Sequence, residues 1–383
     1  MGWVVALGVA KALKLDRYGL EIKAYSMVYK NKQVNSILLR ILNRTRRGIR
    51  VFADVSVVAG FLMMGFAFWF LLNNVSNFFI AETEFAELTV LIPGVTLTSG
   101  PAIAYFLLSI PIVLVIHEGA HGIVAALEKI KIQTGGFAVF VALFAGFVEP
   151  DEEEFNKAKK ISRMRVIGAG ATSNVIFALA LGVILLTNPL FAIVVPEPLL
   201  SVFYDLPDGV LVISIIEGSG AEAAGLLAND IITSINDVRI LNPTDFPSLT
   251  PGETADVSAL RSGQELDFDI EVMASPDDPE KGLVGILRDN SFSYVPVMDF
   301  IKWDDHNVST FLLWLWMISF FIGIINMLPL PILDGGKFIH IIIDKRFSDK
   351  VVTGIMWGIY AFTFVLFGLN IALSYVKSGW FTI

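Results

Sequence analysis

Residues 101–127 read PAIAYFLLSIPIVLVIHEGAHGIVAAL. The run is apolar and long enough to cross a bilayer as a helix, which takes about 20 residues. It nevertheless carries His117, Glu118 and His121 in the order HEGAH. Ionisable side chains are costly at membrane depth, and where they occur they usually mark function. Histidines at i and i+4 share one helix face, so both imidazoles can reach a single metal ion. Glu118 stands beside them and can take a proton from a water activated there. A packing helix with satisfied histidines is the plainer alternative, and an apolar setting makes it the weaker one.

The rest of the chain fits a membrane setting. Its 383 residues are 55% hydrophobic and 17% charged, against about 25% charged in a soluble domain. There is no cysteine, so disulfides and thiolate metal sites are excluded and any metal must be held by His, Asp, Glu or backbone oxygen. Further apolar runs at 55–72, 166–187, 308–328 and 351–376 join 101–127 as spans. They predict a polytopic α-helical membrane protein with about five to six transmembrane helices. The WVVALGVA run at 3–10 is too short to span and lacks a basic leader, so it reads as interfacial or packed on the bundle rather than as a signal peptide.

Loop charges set an orientation. Residues 14–50 hold ten Lys/Arg against two acids, while 74–100 hold none against three acids. The 128–165 loop holds seven Lys/Arg and 329–350 four, but 188–307 only five against 21 acids. That alternation assigns 14–50, 128–165 and 329–350 to the cytosol and 188–307 to the outside. The basic stretch at 16–50 also suits the anionic head groups of a lipid bilayer.

The FAVFVALFAGFV stretch at 137–148 is too short to cross and lies between Gly135-Gly136 and an acidic stop. A re-entrant hairpin over 135–150 is the natural reading, since irregular backbone at membrane depth survives where protein buries it. An interfacial helix is the alternative. Later, NMLPLPILDGG at 326–336 places two prolines after the fourth span. Each removes a backbone donor, so the chain must run extended there and present Asp334 on irregular backbone. A metal would explain that exposure, and a helix cap is the plainer reading. In GAGATSN at 168–174, Asn174 is a strongly polar group inside a span. It lies eight residues from the cytosolic end of that span, about 12 Å deep, and His117 lies ten residues from the end of its own, about 15 Å. The two depths match, and Asp334 falls on the same side of the membrane.

Residues 205–292 differ in character. VLVISIIEGSGAEAAGLLANDIITSINDVRI at 210–240 reads as a strand, a turn at Glu217 to Gly220, a short helix closed by glycine, and a strand pair around Asn-Asp. The pattern resembles a PDZ domain. That resemblance implies a peptide groove beside the strand starting at Val210, formed by Gly209, Val210, Leu211 and Val212, with Asp208-Gly209 in the preceding loop. PDZ domains bind extended peptides by strand addition; a spacer that binds no peptide is the alternative.

HExxH, a GxxxN motif from Gly170 to Asn174, and NxxPxPxLDG from Asn326 to Gly335, interrupted by a PDZ-like domain, together resemble the site-2 protease family of intramembrane zinc metalloproteases. The resemblance covers roughly residues 100–340. It implies one Zn2+ per chain held by His117, His121 and Asp334, with Glu118 as general base. It implies further that Asn174 and Asn326 position substrate, and that the hairpin, with Gly136, Phe137, Val139 and Phe140, pairs with an unwound substrate segment. Its partner would be a transmembrane-protein substrate, possibly already shortened, and no nucleic acid. The multi-pass protein would sit in the cell membrane, its active site in the cytosolic half and its PDZ-like domain outside. The chain departs from the family pattern in the extra span at 55–72, the basic N-terminal region and a poorly matched carboxylate loop. The expected domains are 1–54, a basic cytosolic or interfacial region; 55–187, the first part of the membrane core; 205–292, PDZ-like; and 308–383, the second part of the core. A metal transporter and an inactive PDZ scaffold are the readings from other classes.

Overall fold

The computed structural model describes residues 19–22, 26–31, 34–80, 85–140, 143–241, 245–261, 263–275, 278–288, 293–298, 300–301, 303 and 306–378. The 3–10 run lies outside them. Two compact units emerge, Met1–Leu179 with Trp314–Ile383, and Ala180–Leu313.

In the first unit, β1 (Leu20–Ile22) and β2 (Ser26–Asn31) lead into α1 (Val34–Ile80). The sequence reading began this span at 55, but no proline stands between 34 and 80 to stop the helix. Thr45 alone leaves helical geometry, at φ −130° and ψ 26°. The residues from Arg40 to Arg50 therefore lie on a helix and not in a basic loop. Next come α2 (Gly100–Leu127), β3 (Ile132–Phe140), β4 (Leu143–Pro150), α3 (Glu152–Lys157) and α4 (Lys160–Leu185). Ser99 caps α2 by accepting from the Ala102 N–H, with Pro101 in the first turn where its missing donor costs nothing. The buried face of α2 runs through Val113, His117, Ala120, Val124 and Leu127 at helical spacing.

Small residues bring the helices close. A Cβ on Gly168 would lie 2.5 Å from the Ser56 carbonyl oxygen, so α4 can meet α1 there only through glycine. An ionic knot adds to this contact. Glu128, just past α2, accepts from Arg50 at 3.0 Å, Arg165 at 3.1 Å and Ser162 at 2.5 Å.

The four strands form one antiparallel sheet in the order β1-β2-β3-β4. Ile132–Phe140 and Leu143–Pro150 are thus strand and not the interfacial helix of the alternative reading. One part of the hairpin reading needs correcting. β3, which carries Gly136, Phe137, Val139 and Phe140, has β4 on one side and β2 on the other, in registers such as Phe137↔Gly146 and Tyr29↔Phe137. A Cβ on Gly136 would collide with the Tyr29 carbonyl oxygen at 1.8 Å. Both edges of β3 are therefore taken, and among the described residues the edge of the hairpin without a strand partner belongs to β4.

The second unit contains a 3-10 helix (Pro189–Val194), α5 (Glu197–Phe203), β5 (Tyr204–Ile215), α6 (Gly220–Ala224), β6 (Ile231–Ile235) and β7 (Val238–Arg239). They are followed by β8 (Thr254–Arg261), β9 (Gln264–Glu271), β10 (Met273–Ala274), β11 (Gly282–Leu283), β12 (Ile286–Arg288) and β13 (Ser293–Pro296). Its main sheet has the order β12-β5-β6-β8-β9, with β13 also on β5. Val210, Val212, Ile232, Ile235, Val257 and Ile270 form the core of this unit. The sequence reading holds locally. Ser219 caps α6, Gly225 closes it at φ 83°, and Asn236 and Asp237 turn the β6–β7 hairpin at φ 49° and 61°.

The placement of the groove does not hold. Gly209 lies inside β5, not in a preceding loop, and a Cβ there would meet the Ile232 carbonyl oxygen at 2.0 Å. Val210, Leu211 and Val212 are buried on a strand with β6 on one side and β12 and β13 on the other. A peptide cannot add to a strand already paired on both edges. The outer strand on that side of the sheet is β12. The sheet also continues past residue 292, since β13 pairs Val295 with Asp205.

The chain closes through α7 (His306–Asn326), α8 (Asp334–Ile343) and α9 (Asp349–Ser378). Among the described residues, five helices are long and apolar enough to cross a membrane: Ser36–Ile80, Gly100–Leu127, Lys160–Leu185, Asn307–Asn326 and Asp349–Lys377. The protein is a polytopic helical membrane protein.

Candidate metal centre

HEGAH lies on α2, and both histidines point the same way. His117 Nε2 and His121 Nε2 are 3.0 Å apart. The third member comes from a distant part of the chain. After α7 the prolines keep the backbone out of helix until α8 begins at Asp334. The turn packs so tightly that a Cβ on Gly335 would sit 2.1 Å from the Met327 carbonyl oxygen, and one on Gly336 2.2 Å from that of Leu330. Held in this way, Asp334 Oδ2 lies 3.1 Å from His117 Nε2 and 3.0 Å from His121 Nε2. Its place in the first turn of α8 also suits an anion. His117 and Asp334 are buried, and His121 is partly so.

The hydrogen bonds around the imidazoles decide what this group can hold. His121 Nδ1 donates to the Val166 carbonyl at 2.7 Å, which leaves Nε2 as a bare lone pair. Asn174, fully buried on α4, stands with its amide nitrogen 3.2 Å from His117 Nδ1. Its Oδ1 is buried and has no hydrogen-bond partner among the described residues. Oxygen and nitrogen of an amide are exchanged by a half-turn. That turn satisfies the orphan oxygen with a proton on His117 Nδ1, and frees His117 Nε2 as well. With both rings neutral, two nitrogen lone pairs and a carboxylate oxygen then face one another at about 3 Å, an arrangement that a shared cation relieves. Two imidazoles and a carboxylate are the donor set of a catalytic zinc, with a fourth position left for water. Space is reserved for it: a Cβ on Gly170 would lie 2.3 Å from His121 Nε2 and 2.7 Å from His117 Nε2.

Glu118 turns to the sheet. Its Oε2 accepts from the Val148 N–H of β4 at 2.9 Å, and Gly146 lets the strand approach, since a Cβ there would be 3.0 Å from Glu118 Cγ. The carboxylate beside the histidines is thereby tied to the free-edge strand of the hairpin.

Asn174 was expected to position substrate. The structure places it fully buried, with its amide against His117 Nδ1. Asn326 ends α7 half-buried, and among the described residues no hydrogen bond joins it to the other candidate site residues. Sequence reasoning missed the Val166 carbonyl, which any residue type would supply. It also missed Lys337, whose Nζ lies 3.6 Å from Asp334 Oδ1 and whose i+3 spacing was a readable signal.

A family model described as Peptidase family M50 matches residues 105–367. An uncharacterized protein of Methanocaldococcus jannaschii is 25% identical over 255 residues, 64% of this chain and 60% of that one. The zinc metalloprotease RasP of Oceanobacillus iheyensis is 28% identical over 169 residues, 32% of this chain and 40% of the relative. In each the matched part spans less than two thirds of the relative's length. Among solved structures, the PDZ domain of an SdrC-like protein of Listeria monocytogenes is 26% identical at a TM-score of 0.20, covering 21% of this chain and 87% of that domain.

Proposed function

The chain belongs to peptidase family M50, the site-2 proteases, and from that premise we propose that it is an intramembrane zinc metalloprotease acting on transmembrane segments of other membrane proteins. One observation carries the reading: two imidazoles and a carboxylate from distant helices converge within 3.1 Å beside a glutamate. His117, His121 and Asp334 would hold one zinc ion. Zinc bound there supplies a Lewis acid that acidifies a water and polarises the scissile carbonyl.

The chain's own residues do the remaining work. Glu118 takes the proton from the attacking water and delivers it to the leaving nitrogen. Val166 O and Asn174 hold the two imidazoles in the tautomers that present Nε2. A transmembrane helix hides its peptide bonds in its own hydrogen bonds, so the substrate must unwind before attack. The open edge of β4 can hold the unwound stretch by strand addition. Because Glu118 accepts from the Val148 N–H, a strand arriving on that edge would compete for this donor and release the carboxylate for catalysis.

The charge alternation supports an orientation with the metal centre in the cytosolic half of the membrane and the 205–296 sheet outside. There the PDZ-like unit would admit substrates already shortened by another protease. Cleavage of a model transmembrane substrate by the purified full chain tests the reading. Glu118→Gln should lower turnover at least about a hundredfold while zinc content stays at one per chain. Turnover near that of the wild type would remove Glu118 from its role.

A further inference from the structure

A cavity of about 470 Å3 opens beside the metal centre, where α3, the first turn of α4, α8 and α9 meet. Its wall carries Arg163, Lys337, His340, Asp344, Lys345 and Tyr360. Three permanent cations thus stand against one carboxylate, and that carboxylate is already engaged: Asp344 Oδ2 accepts from Arg163 Nη2 at 2.9 Å. Arg163 is only 6% exposed, yet its Nε is buried with no hydrogen-bond partner among the described residues. Buried arginine donors are normally satisfied, so this Nε is an exception in the protein. At the carbonyl end of α8, Asp344 O accepts from Lys160 Nζ.

We propose that this cavity binds a phosphate-bearing anion. A planar guanidinium, two lysines, an imidazole and a phenol hydroxyl line one space, which suits a tetrahedral, multiply charged acceptor better than a single carboxylate. The cavity is larger than a bare phosphate, so the ligand is a phosphate ester, as a soluble monoester or as a phospholipid head group. Lys337 belongs to both sites, lining the cavity and lying 3.6 Å from Asp334 Oδ1. Occupancy would therefore draw its charge away from the carboxylate of the metal centre.

The test needs no protease activity. The full chain is placed in phosphatidylcholine nanodiscs and titrated with inorganic phosphate and glycerol 3-phosphate, following thermal unfolding. In parallel, native mass spectrometry compares retention of phosphatidylglycerol with that of phosphatidylcholine. Saturable stabilisation by the soluble anions identifies a free phosphate ester, and selective retention of phosphatidylglycerol alone identifies a lipid head group. In either case the exposed Lys345→Glu should weaken binding about tenfold and Lys345→Arg should restore it. His340→Ala serves as a second variant should Lys345→Glu fail to fold. Binding by neither class of anion, or equal binding by wild type and both wall variants, would overturn the proposal.

Discussion

Asp230 and Asp334 are both nearly sealed from solvent, at 1% and 6% exposure, and their surroundings differ. Asp230 is answered in full. Arg261 grips it through Nε at 2.7 Å and Nη2 at 2.6 Å, and the Leu227 N–H adds a third bond at 2.7 Å. The pairing also holds the Arg261 guanidinium above its ordinary pKa, chiefly through that hydrogen bond. Asp334 faces two imidazole nitrogens whose other ring atoms are already committed, and the cation near it, Lys337, stands 3.6 Å away on its other oxygen. The first carboxylate completes a structure. The second leaves a charge for a ligand to complete. A buried acid therefore indicates function only when its partners are themselves acceptors.

The contrast can be broken in both directions. Removing the satisfied carboxylate should cost most in stability. Asp230→Ala leaves a guanidinium and a buried N–H unpaired and should destabilise the second unit by about 3 kcal/mol, read by denaturant unfolding, with zinc content unchanged. Asn174→Leu should do the reverse. The fold survives an apolar side chain in a span, but His117 loses its tautomer partner, and zinc affinity should fall about 10- to 100-fold in a chelator competition. Unchanged affinity would return Asn174 to an ordinary helix contact.

The smallest effect is expected at Asp344. Its hydrogen bond to Arg163 lowers the pKa of the carboxyl below the ordinary carboxylate range. A depressed carboxyl contributes stability above its unfolded pKa and loses it as pH falls through the folded one. Asp344→Asn should thus be less stable than wild type at neutral pH, and the gap should close below about pH 4. A gap that persists in acid would mean that packing, not charge, holds this corner.

Local patterns made the centre legible. HEGAH and LDGG each declare themselves within a few residues, because i, i+4 spacing and a proline-broken helix are short-range facts. The shortness of the apolar run at 137–148 and the glycines before it likewise argued for a hairpin rather than a span. What stayed hidden depends on distant partners. Nothing near Tyr29 says that it will pair with Phe137, so the covering of β3 by β2 could not be read, and with it the loss of that edge to a substrate. Gly209 was placed in a loop by the PDZ resemblance. Its reason is the Ile232 carbonyl, more than twenty positions on. Asn174 was legible as a polar residue in a span, but its contacts with His117 and Ser319 come from helices distant in sequence.

Metal analysis of the Asp334→Asn variant tests the central claim most directly. The asparagine keeps the size and the helix start while removing the charge that the two imidazoles converge on. One zinc per chain in the wild type and none in the variant, with thermal unfolding otherwise preserved, is the expected result. Full zinc stoichiometry in Asp334→Asn would contradict the account, because His117 and His121 would then be holding the ion without it.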